Sequence, residues 1–122
     1  MRLFLTTVIL TILAQPVWAQ QMNASTLYSH CLTWQKGGYG NNFENNLDGL
    51  KGATCAAYMA AMSDLGSQSC RWDDDQIIAS WEATKEHLAA AFIIEIERRP
   101  EFLSYNPFSF ISVFAPQMFP CD

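Results

Sequence analysis

Four cysteines, Cys31, Cys55, Cys70 and Cys121, stand behind a segment that reads as an export signal, and this pairing constrains the chain more than any other feature. Residues 1 to 19 carry Arg2, an apolar run from Leu3 to Leu13, and then Gln15-Pro16 before Val17-Trp18-Ala19. That order of charge, apolar core and small residues is the pattern of a cleaved secretory signal, with the cut expected after Ala19. The apolar run is about half of the roughly 20 residues needed to cross a bilayer, so no stable membrane anchor is expected. In the oxidising compartment that export leads to, the four thiols are expected to form two disulfides.

The cut leaves 103 residues, Gln20 to Asp122, read as one domain. A chain this small covers only about two thirds of the surface its unfolded form exposes, so a second source of stability is expected. Without Arg2 the domain holds six basic and twelve acidic residues. Phosphate binding needs clustered lysine and arginine, which argues against a nucleic-acid partner. The acidic balance serves solubility first, and it would also suit a basic protein.

The periodicity is helical throughout, and the fold class read from it is all-α, a small four-helix domain. Asn23 or Ser25 can cap a first helix through Leu27, Tyr28, Cys31 and Leu32, ending near Lys36 before Gly37-Gly38. A glycine- and asparagine-rich loop follows, then a second helix from about Leu47, dense in alanine, with Cys55, Tyr58, Met59 and Met62 on one face. Gly66 is expected to stop it as a C-terminal cap. A third helix is expected to start at Asp73-Asp74-Asp75, carry the stripe Ile77, Trp81, Thr84, Leu88, Phe92 and Ile96, and close at Arg98-Arg99 before Pro100, bent or broken over so long a span. Asn106-Pro107 should open a last helix, Phe108 to Ala115, ended by Pro116.

An antiparallel hairpin of the first two helices would bring Cys31 beside Cys55, and a last helix returning towards the start of the third would carry Cys121 to Cys70. The competing Cys55 to Cys70 bridge needs a short loop to fold back along about 13 Å of helix. Sequence leaves three connectivities open, with Cys31–Cys55 and Cys70–Cys121 preferred.

No catalytic constellation stands out, and neither a cofactor nor a metal is expected. His30 and His87 read as surface or partly buried side chains, with no convergent thiol or carboxylate beside them. Glu82 and Glu86, with Lys85 between, read as a solvated helix face. Asp73 to Asp75 lack the spacing of a calcium loop. Phe108, Phe110, Phe114 and Phe119 at helical spacing read as core in preference to a binding patch. The segment least explained by packing is Lys36 to Asp48. Its aromatics, read as exposed among glycines and asparagines, make Tyr39, Asn42, Phe43 and Glu44 the candidate partner-binding residues, against the alternative of a plain connector.

The ordered set of Cys31 near the end of the first helix, Cys55-Ala-Ala-Tyr58 continuing to Asp64, Cys70 before a long helix, Pro100-Glu101 and the terminal Phe119-Pro120-Cys121 resembles the Rap/Tai family of type VI secretion immunity proteins. The resemblance spans nearly the whole mature chain, which departs from the pattern in a longer stretch between Cys70 and Pro100. It implies a periplasmic, non-enzymatic helical protein that binds and blocks a peptidoglycan amidase toxin. It also implies that the four cysteines are bridges and that Tyr58 and Asp64 belong to the second helix's signature. A periplasmic stress protein or chaperone without a toxin partner is the alternative, and a homo-oligomer is compatible with either.

Overall fold

A computed structural model describes residues 22–71 and 80–122; residues 1–19, read as an export signal, and Asp73–Asp75 and Ile77 lie outside the described residues. The described chain is helical, with four α-helices and no strand: α1 (Ala24–Lys36), α2 (Asn46–Cys70), α3 (Lys85–Arg98) and α4 (Pro107–Met118), plus a 3₁₀ turn at Pro100–Ser104. None of these helices is long and apolar enough to cross a membrane.

Three of the four starts are set by asparagine. Asn23 Oδ1 accepts from the Thr26 amide at 2.9 Å, Asn45 from Asp48 at 2.8 Å, and Asn106 from Phe108 at 2.8 Å, each relieving an amide that the helix cannot satisfy itself. Helix α1 buries Ala24, Leu27, Cys31 and Trp34, and α2 buries Gly52, Cys55, Met59, Met62 and Gly66. These spacings of three and four residues put each set on one face, and the two faces meet. Both preferred disulfides are formed: Cys31–Cys55 joins α1 to α2 with Cα atoms 5.1 Å apart, and Cys70–Cys121 ties the end of α2 to the C-terminal tail at 5.7 Å.

Three boundaries differ from the sequence reading. Helix α2 does not stop at Gly66 but runs on to Cys70. Gly66 is buried there because the Trp81 indole lies flat against it, where any Cβ would overlap the ring. An interior glycine costs about 0.5–1 kcal/mol, which burial of a large aromatic outweighs. The Trp81 Nε1–H also donates to the Met62 carbonyl at 3.1 Å, so the indole is satisfied as well as covered.

Helix α3 begins at Lys85, with the Thr84 hydroxyl capping the His87 amide at 3.2 Å, and Trp81 belongs to the irregular strap before it. That strap is fixed on both sides. Ser63 donates from its hydroxyl to the Ala83 carbonyl, and the Glu82 amide donates to Phe119 O at 2.9 Å. Glu82 therefore precedes α3 and shares no helical turn with Glu86.

Helix α4 passes through Pro116 to Met118. A proline in the last turn forfeits a single hydrogen bond, and the Phe119 amide still closes on Ala115 O at 2.8 Å. Of the four phenylalanines read as core, Phe110 and Phe114 are buried, Phe119 is half-buried, and Phe108 is exposed. Arg98 and Arg99 close α3 by converging on the buried Glu95 carboxylate at 3.2 and 3.3 Å.

Candidate partner-binding surface

The loop between α1 and α2 is built, not slack. The amides of Gly37, Gly38 and Tyr39 turn back to the carbonyls of Thr33, Gln35 and Trp34, so the loop begins as an extension of the α1 C-terminus. Gly38 and Tyr39 are both left-handed, with φ of 68° and 59°. Glycine takes that region freely, whereas a tyrosine there costs about 1 kcal/mol or more. Side-chain contacts offset the cost: the Tyr39 ring meets Trp34 edge-on at 5.0 Å, and its hydroxyl accepts from Gln35 Nε2 at 3.3 Å.

Phe43 then folds inward. Its ring rests on Gly52 so closely that a Cβ there would overlap it, and it lies 3.3 Å and 3.5 Å from where a Cβ would stand on Gly37 and Gly49. Gly37 of the loop and Gly49 and Gly52 of the first turns of α2 together form the slot that receives this ring. Tyr39 and Phe43 are consequently half-buried, which corrects their reading as exposed contacts. They hold the loop's shape, while Gly38, Asn41, Asn42, Glu44 and Asn45 are its exposed positions. Of the four candidates, Asn42 and Glu44 are therefore the two freely presented to a partner. The Cys31–Cys55 bridge fixes the two helices from which the loop springs.

His30 sits on α1 near Lys51 of α2. Its Nδ1 is buried without a hydrogen-bond partner, and burial, with a contribution from the Lys51 charge, pushes its pKa below the usual 6.5. A depressed imidazole pKa favours the neutral folded form, so its contribution is present above pH 6.5 and is lost as pH falls through the lower folded value. Melting temperatures measured from about pH 8 to about pH 5 should decline in this window, and His30→Gln should flatten that part of the decline.

A shallow cleft of about 360 Å³ is lined by Ser63, Asp64, Ser67, Glu82, Thr84 and His87. Its groups do not form a relay: Ser63 is spent on the Ala83 carbonyl, and His87 stacks parallel to Phe119 at 6.5 Å. Asp64 is exposed at this cleft, whereas Tyr58 is half-buried, its hydroxyl raised in pKa by burial against a hydrogen bond from the Phe108 backbone.

Sequence reasoning followed the inner face of α2 and passed over the outer one. Leu47 is 60 % exposed and Leu50 66 %, and Ala53, Ala57 and Ala61 continue outward from Leu50. The same three- and four-residue spacing, counted from Leu50 instead of Cys55, would have found them. Comparison of the chain with protein-family models, with curated proteins and with solved structures finds no match.

Proposed function

We propose that this is a periplasmic immunity protein that binds a peptidoglycan amidase toxin of a type VI secretion system and inhibits it by seating the 37–45 loop over the toxin's active-site cleft. The observation that carries the reading is the preformed loop. An inhibitor that must bind without first ordering a segment gains affinity by avoiding that entropy, and this loop is held by Phe43 in its glycine slot and by Tyr39 on Trp34. Two disulfides fit an oxidising, exported compartment. The resemblance to the Rap/Tai pattern supplies the toxin class, and the acidic surface suits encounter with a basic cleft rim.

Cells that express, in the periplasm, any amidase effector encoded beside this gene should survive when the full chain is co-expressed and lyse when it is not. Lysis in both cases would refute the proposal. Phe43→Ala should lower stability by about 1–3 kcal/mol, less than a fully buried phenylalanine because the ring is only half covered. It should also slow association with the toxin, because the loop loses its plug. Denaturant unfolding and stopped-flow binding measure the two effects separately.

A further inference from the structure

We propose that Cys70–Cys121 is an exchangeable bridge, opened and closed by a dithiol protein of the exported compartment, and that its opening frees the C-terminal tail while Cys31–Cys55 keeps the helices together. The two bridges stand in opposite surroundings. Cys31 and Cys55 are both 0 % exposed, enclosed between the packed faces of α1 and α2. Exchange needs a thiolate to reach a bridge sulfur, so attack on this pair requires the two helices to part first. Cys70 is the last residue of α2, Cys121 lies on the irregular tail beyond α4, and both are partly exposed. Attack here requires only the residues after Met118 to move. Exposed bridges are the labile ones that serve as switches.

The donor is a protein with a Cys-X-X-Cys pair, whose lowered thiol pKa supplies thiolate at neutral pH. One thiolate attacks Cys121 Sγ, the sulfur outside any helix. A mixed disulfide forms, the Cys70–Cys121 bond breaks, and Cys70 leaves as a thiolate that takes a proton from water. The donor's second thiolate then displaces Cys121, which is protonated in turn. The donor ends oxidised to its own disulfide and this chain reduced by two electrons; an oxidised donor runs the exchange backwards. The tail's other ties among the described residues are the Glu82 amide donating to Phe119 O at 2.9 Å and the Phe119 ring lying parallel to His87 at 6.5 Å. Glu82 and His87 line the shallow cleft beside α2, so opening the bridge releases the tail from two of its lining residues. The core stays closed, because the Trp81 indole keeps its bond to the Met62 carbonyl and the Ser63 hydroxyl its bond to Ala83.

The oxidised chain from Gln20 onward, treated at room temperature with dithiothreitol or with reduced thioredoxin, alkylated at timed intervals with N-ethylmaleimide and mapped by mass, tests this without any toxin. Either reductant should expose Cys70 and Cys121 together, at a rate about tenfold or more above that of Cys31 and Cys55, giving a singly opened protein with unchanged helical circular dichroism. In that species deuterium exchange should quicken at the Glu82 amide and stay slow in the turns around Cys31 and Cys55. Urea at about 1 M should raise the opening rate of Cys70–Cys121 by less than about twofold and that of Cys31–Cys55 by about fivefold or more, because only the second must expose buried surface first. Opening of Cys31–Cys55 first, simultaneous opening of both, or the same urea dependence for the two overturns the proposal. A bridge opened by dithiothreitol but left closed by thioredoxin overturns the protein donor.

Discussion

Reduction of the two disulfides is expected to unfold the helical domain at physiological temperature, and replacing Cys70 and Cys121 by alanine is expected to cost the larger share. In the chain-entropy account, bridges closing 24 and 51 residues restrict the unfolded chain by roughly 3 and 4 kcal/mol. The whole net stability of a small domain is about 5–15 kcal/mol, so the two together approach the total. The bridges also differ in what else does their work. Cys31–Cys55 joins α1 and α2 where Leu27, Met59 and the helix faces already meet, whereas Cys70–Cys121 holds a tail whose other ties among the described residues are the Glu82 to Phe119 hydrogen bond and the packing of Phe119 beside His87. Thermal melts with and without reductant, and of the Cys70→Ala/Cys121→Ala protein, measure the effect. Melting temperatures that do not move on reduction would end this account of stability.

The second large effect centres on Trp81, the bulkiest fully buried side chain among the described residues. Trp81→Ala should cost about 3–5 kcal/mol, because it empties the space between α2 and the strap before α3 and leaves the Met62 carbonyl without the indole donor. Gly66→Ala should cost about 1–3 kcal/mol through overpacking against the same ring. The informative protein is the double variant. With the indole gone the clash goes too, and alanine is the better helix former by about 1 kcal/mol, so Gly66→Ala should stabilise the Trp81→Ala background. Denaturant unfolding of the four proteins closes the cycle; additive losses would mean that the two residues do not meet as described.

This pair also marks where the sequence stops being readable. Helix starts at Asn23 and Asn106 and the approach of Cys31 to Cys55 depend on neighbours within a few residues or on simple hairpin geometry, and both were legible. Gly66 was not, because a glycine after an alanine-rich helix has the same local appearance whether it ends the helix or seats a ring, and the ring comes from fifteen residues further on. The start of α3 failed for a related reason. Trp81 is buried in either reading, so the apolar spacing from Ile77 to Ile96 looked continuous although residues 80–84 form an irregular strap. Pro116 read as a stop because the rule concerns helix interiors, and its place in the last turn of α4 removes most of the penalty.

The candidate site shows the same division. Composition located the loop and picked out Tyr39, Asn42, Phe43 and Glu44, yet it could not assign them to different tasks, since the slot at Gly52 lies on the next helix. The outer face of α2 was legible in principle and was missed because alanine reads as helix propensity before it reads as surface. Tyr28 belongs to the same class of long-range detail: its hydroxyl donates to Glu97 Oε1 at 3.0 Å across to α3, a partner that no local pattern announces.

Titration calorimetry of the chain from Gln20 onward into any purified amidase effector encoded beside it tests most directly the proposal that the 37–45 loop is a rigid inhibitory element. The predicted result is saturable binding that abolishes amidase activity, weakened at least tenfold by Glu44→Lys or Asn42→Ala, with the melting temperature of each variant unchanged because both residues are exposed. Absence of heat and of inhibition, or binding indifferent to both substitutions, would contradict it.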